Sequence, residues 1–183
     1  MSKIAICMAD GVEEIEGLTV VDLLRRAGLE IDMISTQNRG RAMGSHRIQF
    51  ETDLNLKEAD LKSYDGIVLP GGMKGTENLM NNITVLNTIQ NFFEQKKLCA
   101  AICAAPTVLG KAGILRGKKA ICYPGMEDKL LGAEVTVQPV VVDGNIITSR
   151  GLGTAIPFAL AIISYFKGQD AADLIAKQIV YQA

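Results

Sequence analysis

The 183-residue chain has a single histidine, His46, and only four cysteines, Cys7, Cys99, Cys103 and Cys122, none of them arranged as a Cys-x-x-Cys pair. Metal sites need clustered histidine, cysteine or carboxylate ligands, so on ligand supply no metal is expected and a metal hydrolase is set aside. A thioredoxin-like dithiol is excluded by the same spacing. The cysteines lie mostly inside apolar runs rather than in loops, which points to reduced thiols instead of a secreted disulfide framework. Charge of one sign is also missing: 19 Lys+Arg stand against 20 Asp+Glu. Without a broad positive field, nucleic acid is not an expected partner. Long apolar runs are absent too. The N-terminal run Lys3 to Ala9 stops at Asp10-Gly11, which suits neither a signal peptide nor a membrane span, so a cytoplasmic protein with no membrane partner is expected.

What is present is an alternation of strand-sized apolar runs with helical patterns. Strands are predicted at Lys3 to Met8, Glu30 to Ser35, Gly66 to Leu69, Leu98 to Ile102 and Lys119 to Cys122. Helices are predicted at Glu14 to Ala27, Val85 to Glu94, Pro106 to Ala112, Thr154 to Phe166 (capped by Thr154) and Ala171 to Tyr181. This is the rhythm of βαβ units around a parallel sheet covered on both faces, an α/β fold. Near the C-terminal end, Val135 to Val142 and Asn145 to Ser149 flank Asp143-Gly144, so a hairpin with a type I′ turn is expected to add an antiparallel ribbon. Gln37 to Ile48 reads as a loop or short hairpin. The length fits one domain, residues 1–183, and there is no repeat or linker.

Open parallel sheets bind ligands at the carboxyl ends of their strands. Four such ends carry informative residues: Asp10 to Glu16, Pro70 to Gly75, Cys103 to Pro106 and Ser149 to Thr154. The third resembles a nucleophile elbow, a strand passing through Cys103-Ala104-Ala105 into a helix whose first turn tolerates Pro106. A thiol at a helix N-terminus meets free amides and the positive dipole end, which would lower its pKa. The alternative is a buried small hydrophobe, as is read for Cys7, Cys99 and Cys122. Glu16 shares a helical stripe with Val12, Val20, Leu23 and Ala27, all apolar, and a carboxyl turned inward there would have a raised pKa. The alternative is a solvated carboxylate at the helix start, like Glu13 and Glu14. Pro70-Gly71-Gly72-Met73-Lys74-Gly75 could bring amides to an oxyanion or simply turn the chain; it lacks the Gly-Lys-Ser/Thr ending of a Walker loop. Gly151-Leu152-Gly153 lacks the third glycine of a dinucleotide site, and no cofactor is expected.

Asp10-Gly11-Val12-Glu13-Glu14-Ile15-Glu16, Leu69-Pro70-Gly71-Gly72, Ala100 to Pro106 and Thr148 to Thr154 together resemble the ThiJ/PfpI superfamily, and within it the branch of the parkinsonism-associated deglycase. The resemblance runs over essentially the whole chain. It implies a flavodoxin-like three-layer sandwich, a homodimer, a reactive Cys103 thiol and the Glu16 carboxyl beside it. It also implies an oxyanion pocket from the amides of Gly72 and Ala104, with Arg26 and the Arg150 loop nearby. The activities implied are cofactor-free glyoxalase or deglycase chemistry on a small α-oxoaldehyde, chaperone behaviour, and peroxide sensing through oxidation of Cys103 in oxidative stress. Two departures matter. Ala104 stands where protease-like members carry histidine, which removes the base of a Cys-His peptidase, and Tyr123-Pro124 replaces a histidine found near the cysteine in animal members. His46 falls where relatives place an arginine on a loop reaching toward the partner subunit's site, and so is expected either to approach the partner's thiol or to be an ordinary surface histidine.

Overall fold

The computed structural model describes residues 2–37 and 40–182. In chain order the elements are β1 (Lys3–Met8), α1 (Glu14–Arg26), β2 (Glu30–Ser35), β3 (Arg41–Met43), β4 (Gln49–Glu51), β5 (Leu54–Asn55), β6 (Gly66–Leu69), α2 (Met73–Met80) and α3 (Ile83–Glu94). They continue with β7 (Leu98–Ile102), α4 (Pro106–Lys111), β8 (Lys119–Ala120), β9 (Glu134–Val135), β10 (Val140–Asp143), β11 (Ile146–Ser149), α5 (Ala155–Lys167) and α6 (Gln169–Gln178).

Seven strands form the main sheet in the order β10-β11-β7-β6-β1-β2-β5, parallel throughout except for the antiparallel edge strand β10. The two-residue period of a strand explains how one run of sequence serves both faces. From β1 and the residue after it, Ile4, Ile6 and Met8 enter one core with α1, α5 and α6, while Ala5, Cys7 and Ala9 enter the other with α3 and α4. The result is the three-layer α/β sandwich anticipated. Helix α1 is held by Val20, Leu23 and Leu24, each at most 4 % exposed, and a buried side chain of this size contributes about 1.5–3 kcal/mol. The order of strands reverses between β1 and β6, so the crevice at their carboxyl ends is the topological switch point where such sheets bind ligands.

Several local expectations are corrected. The run Lys119 to Cys122 contributes only β8, which pairs with β9 in a separate two-stranded sheet rather than extending the main one; the Ile121 amide donates to the side-chain hydroxyl of Thr148 in β11, at 3.0 Å, instead of to a strand carbonyl. The expected strand Val135 to Val142 is broken into β9 and β10. The register Asp143↔Ile146 makes Gly144-Asn145 the two-residue turn, with positive φ at Gly144 alone, the pattern of a type II′ rather than a type I′ hairpin. Thr154 does not cap α5; its hydroxyl lies 2.6 Å from the Ser149 hydroxyl and accepts from the Gly151 amide at 3.1 Å, closing the preceding turn. The Gln37 to Ile48 segment contains β3 and the turn of a hairpin whose second strand, β4, follows it; its residues 38 and 39 lie outside the described ones. Among the described residues no helix is long and apolar enough to cross a membrane.

Candidate functional site

The carboxyl ends of β1, β6 and β7 converge on Cys103. This residue leaves β7 with φ +64°, a left-handed conformation that a non-glycine residue adopts at a cost of about 1–3 kcal/mol. The strained turn is pinned on both sides: the Cys103 amide donates to the Ser149 carbonyl at 3.0 Å, and its carbonyl accepts from the Tyr123 amide at 2.7 Å. The half-buried sulfur is thereby turned out of the strand and into the crevice.

Glu16, in the first turn of α1, reaches the same point from the other side of β6. It is 1 % exposed, and its Oε2 accepts from the Gly71 amide at 2.9 Å. Burial pushes its carboxyl up to about 7, with hydrogen bonds to the Cys103 side chain and the Gly71 amide pulling in the opposite direction. The inward, raised carboxyl expected from the apolar stripe is what the structure contains. Glu14 departs from expectation: it too is buried, at 4 %, rather than solvated.

The thiol behaves differently from the sequence reading. Burial, the negative charge of Glu16 and the hydrogen bond with Glu16 push Cys103 up to about 12, against the amides of Gly72 and Ala104, which bond the sulfur and pull down. A lowered thiol was expected from the helix end. But α4 has only six residues and begins three positions later, whereas burial and an adjacent carboxylate act directly on the sulfur. The upward direction belongs to a thiol facing an ionised Glu16. When the thiol proton passes to the carboxyl, the repulsion disappears and a neutral acid faces the thiolate, so the two groups titrate as a pair. Cys7 and Cys99, sealed in the core, are raised to about 12 by burial alone, and buried Cys122 to about 11 by burial, Glu127 and Asp128.

Gly71 explains how the pair comes so close. A Cβ on Gly71 would stand 2.5 Å from Glu16 Oε2, 2.6 Å from Cys103 Cβ and 3.1 Å from its Sγ. The glycine doublet was legible in the sequence; that its first member both donates to Glu16 and leaves it room was not. Gly72 has φ +87°, and a side chain there would collide with the backbone from Gly11 to Glu13. The Ser149–Thr154 loop closes the third side, with a Cβ on Gly151 falling 3.9 Å from Glu16 Oε1. Arg150 lies in that loop.

Two expected site residues stand elsewhere in the single chain. Arg26 sits at the opposite end of α1 from Glu16, roughly 15 Å along a helix of 1.5 Å rise, where its Nε donates to Asp22 Oδ2 at 2.7 Å. His46 is on the β3–β4 turn, its side chain 66 % exposed, with Nδ1 3.0 Å from Glu14 Oε2 and 3.5 Å from Glu13 Oε1. Hydrogen bonding to Glu14 and the charges of Glu13 and Glu14 raise its pKa. Burial acts upward on Glu14, but amide hydrogen bonds and the His46 side chain outweigh it and bring the carboxyl down to about 2. Glu13, Glu14 and His46 place three potential metal-ligand atoms within 4.8 Å of one another, a grouping that a search for paired cysteines and histidines misses. Their mutual ion pairs fasten the hairpin to α1 beside the Val12↔Gly44 bridge.

A thiol on a strained strand-to-helix turn at the switch point of a parallel sheet, hydrogen-bonded to a buried carboxyl and facing two amides, defines a cysteine-centred flavodoxin-like protein. The family model of the DJ-1/PfpI family matches residues 2–165, and the chain belongs to that family. Among curated relatives, Protein DJ-1 homolog B of Arabidopsis thaliana is 38 % identical over 176 residues, covering 96 % of this chain and 40 % of the relative. Protein dj-1beta of Drosophila melanogaster is 38 % identical, covering 98 % of both chains. The chain therefore spans less than half of the first relative and nearly all of the second. Among solved structures, oxidized DJ-1 of Toxoplasma gondii has a TM-score of 0.96 at 33 % identity, with both chains covered completely.

Proposed function

We propose that this protein is a cofactor-independent glyoxalase of the deglycase type, acting on small α-oxoaldehydes through Cys103. The observation that carries the reading is the hydrogen-bonded contact of Cys103 with a buried Glu16 raised to about 7. A group of that pKa can take and return a proton near neutrality. The thiol proton passes to Glu16 as sulfur attacks the aldehyde carbon, forming the S–C bond, and returns from Glu16 to the resulting oxyanion at the Gly72 and Ala104 amides, which leaves a neutral hemithioacetal and an ionised Glu16. Glu16 then moves the proton from the former aldehyde carbon to the neighbouring carbonyl carbon through an enediol, leaving a thioester. Water breaks the S–C bond, releasing the hydroxy acid and restoring the thiol. One carbon is oxidised and its neighbour reduced, so no external redox partner is required. With Ala104 in place of histidine, peptidase chemistry is disfavoured.

Methylglyoxal supplied without glutathione and followed by proton NMR tests this. Lactate in large excess over protein is expected; a stoichiometric adduct that never turns over would contradict it. The second reading, a redox sensor or chaperone regulated by oxidation of Cys103 to a sulfinate, is favoured by the relative described as oxidized. It takes the lead if no lactate forms and mild peroxide modifies Cys103 selectively.

A cytoplasmic homodimer fits the same reading. Ile15 on α1, Met43 at the end of β3 and Ile48 beyond the hairpin turn are 52 %, 38 % and 55 % exposed on neighbouring segments joined by the Glu14–His46 contact. Association through this face would carry His46, and Arg26 farther along α1, toward a partner, the route by which His46 could approach the partner's thiol. Sedimentation should give a dimer for the wild type and a monomer for Ile48→Asp; a monomeric wild type would refute the arrangement.

A further inference from the structure

The helices that begin beside the two oxyanion amides enclose a second cavity. Met73 follows Gly72 directly, and the Thr107 hydroxyl donates to the Ala104 carbonyl at 2.7 Å. Between α2, α4 and the segment after Pro124 lies a groove of about 520 Å³ walled by Met73, Met80 and Met126. An adjoining lobe of about 310 Å³ shares Met80, Thr107 and Lys129 with it. These volumes are typical of small-molecule sites, roughly 300–1,000 Å³, and methionine walls adapt to flexible aliphatic ligands. Neither Cys103 nor Glu16 lines either lobe.

Two polar features point to a ligand and to its charge. Thr76 is 4 % exposed and lines the groove, yet its Oγ1 has no hydrogen-bond partner among the described residues. A buried hydroxyl without a partner is unfavourable, and a ligand acceptor would satisfy it. At the mouth, Lys74 is paired with Glu77 at 2.8 Å and the Lys111 ammonium donates to the Met80 carbonyl at 3.0 Å. Lys129 lines both lobes with no such partner among the described residues, while the remaining acid, Asp128, borders only the smaller lobe. The methionine-walled lobe therefore carries one uncompensated positive charge.

We propose that this groove binds a medium-length aliphatic carboxylate, its chain along Met73, Met80 and Met126 and its head at Lys129 and Thr76, independently of the reaction at Cys103. Methyl-labelled methionine NMR of the full chain, titrated with sodium octanoate, tests this. Saturable shifts confined to Met73, Met80 and Met126 are expected, with buried Met8 unmoved as the internal check of folding. Lys129→Glu, an exposed substitution, should weaken binding at least tenfold, and octylammonium should not bind. No saturable shift, equal binding of octylammonium, or octanoate affinity unchanged in Lys129→Glu would each overturn the proposal.

Discussion

Glu16→Gln is expected to lower lactate formation from methylglyoxal at least a hundredfold while leaving Cys103 open to alkylation. Glutamine keeps the shape and can still accept from the Gly71 amide, but it cannot carry a proton between two carbons. General acid–base groups contribute about 10²–10⁴ in rate. The pH dependence of alkylation should change as well. In the wild type one proton leaves the Cys103–Glu16 pair near pH 7, so thiol reactivity should rise to about pH 7 and then level off. Without the carboxyl, reactivity should keep rising through the alkaline range. Stability moves in the opposite sense to activity. The folded Glu16 holds its proton more tightly than the unfolded one, so the native state is progressively disfavoured as pH rises from the ordinary carboxyl value of 4.5 through about 7. A shift of this size corresponds to about 3 kcal/mol as an order of magnitude. Glu16→Gln should therefore raise the melting temperature at pH 8 and have little effect at pH 4. Full turnover in this variant would remove Glu16 from the mechanism.

Gly71→Ala tests the same contact by crowding it. The added methyl would stand 2.5 Å from Glu16 Oε2 and 2.6 Å from Cys103 Cβ, in a place where both neighbours are fixed by the strained turn and the buried first turn of α1. Overpacking of this kind costs about 1–3 kcal/mol, or roughly 2–12 °C in Tm for a chain of this size. Turnover should fall further than stability accounts for, by about a hundredfold, because displacement of a reacting group by about 1 Å has that effect. A variant melting like the wild type with undiminished turnover would show that the Glu16–Cys103 spacing is not critical.

The sequence disclosed most where a single physical constraint acts. Strands buried on both faces read as continuous apolar runs, so β1, β6 and β7 were legible, and with them the crevice at their carboxyl ends; β2, half-exposed, was legible from the apolar Ile31, Met33 and Ile34 set among Glu30, Asp32 and Ser35. Glu16 was legible only in part: it is the one charge on the Val12–Val20–Leu23 stripe, but a helix start near solvent left a solvated carboxylate equally open, and it was the family resemblance that placed it beside Cys103. Helix α2 was not: Met73-Lys74-Gly75-Thr76-Glu77 is polar and follows two glycines, and only Gly75, Thr76 and Leu79 of its residues are buried. Lys119 to Cys122 looked like a further strand of the main sheet because its apolar run carries no record of which neighbour takes its amides. The direction of the Cys103 pKa was misjudged for a reason of magnitude. A helix end supplies about 0.3–1 kcal/mol, whereas burial together with the carboxylate of Glu16, distant in sequence, acts directly on the sulfur and outweighs it. The close approach enforced at Gly71 depends on three separate strand ends meeting, and no local pattern encodes it.

The most direct measurement is methylglyoxal conversion by the wild-type protein and Cys103→Ala side by side, with lactate followed by NMR. Catalytic lactate is expected from the wild type and none above background from the variant, which retains the Glu16 carboxyl and the Gly72 and Ala104 amides but has no nucleophile. Lactate formed by Cys103→Ala at the wild-type rate would contradict that expectation.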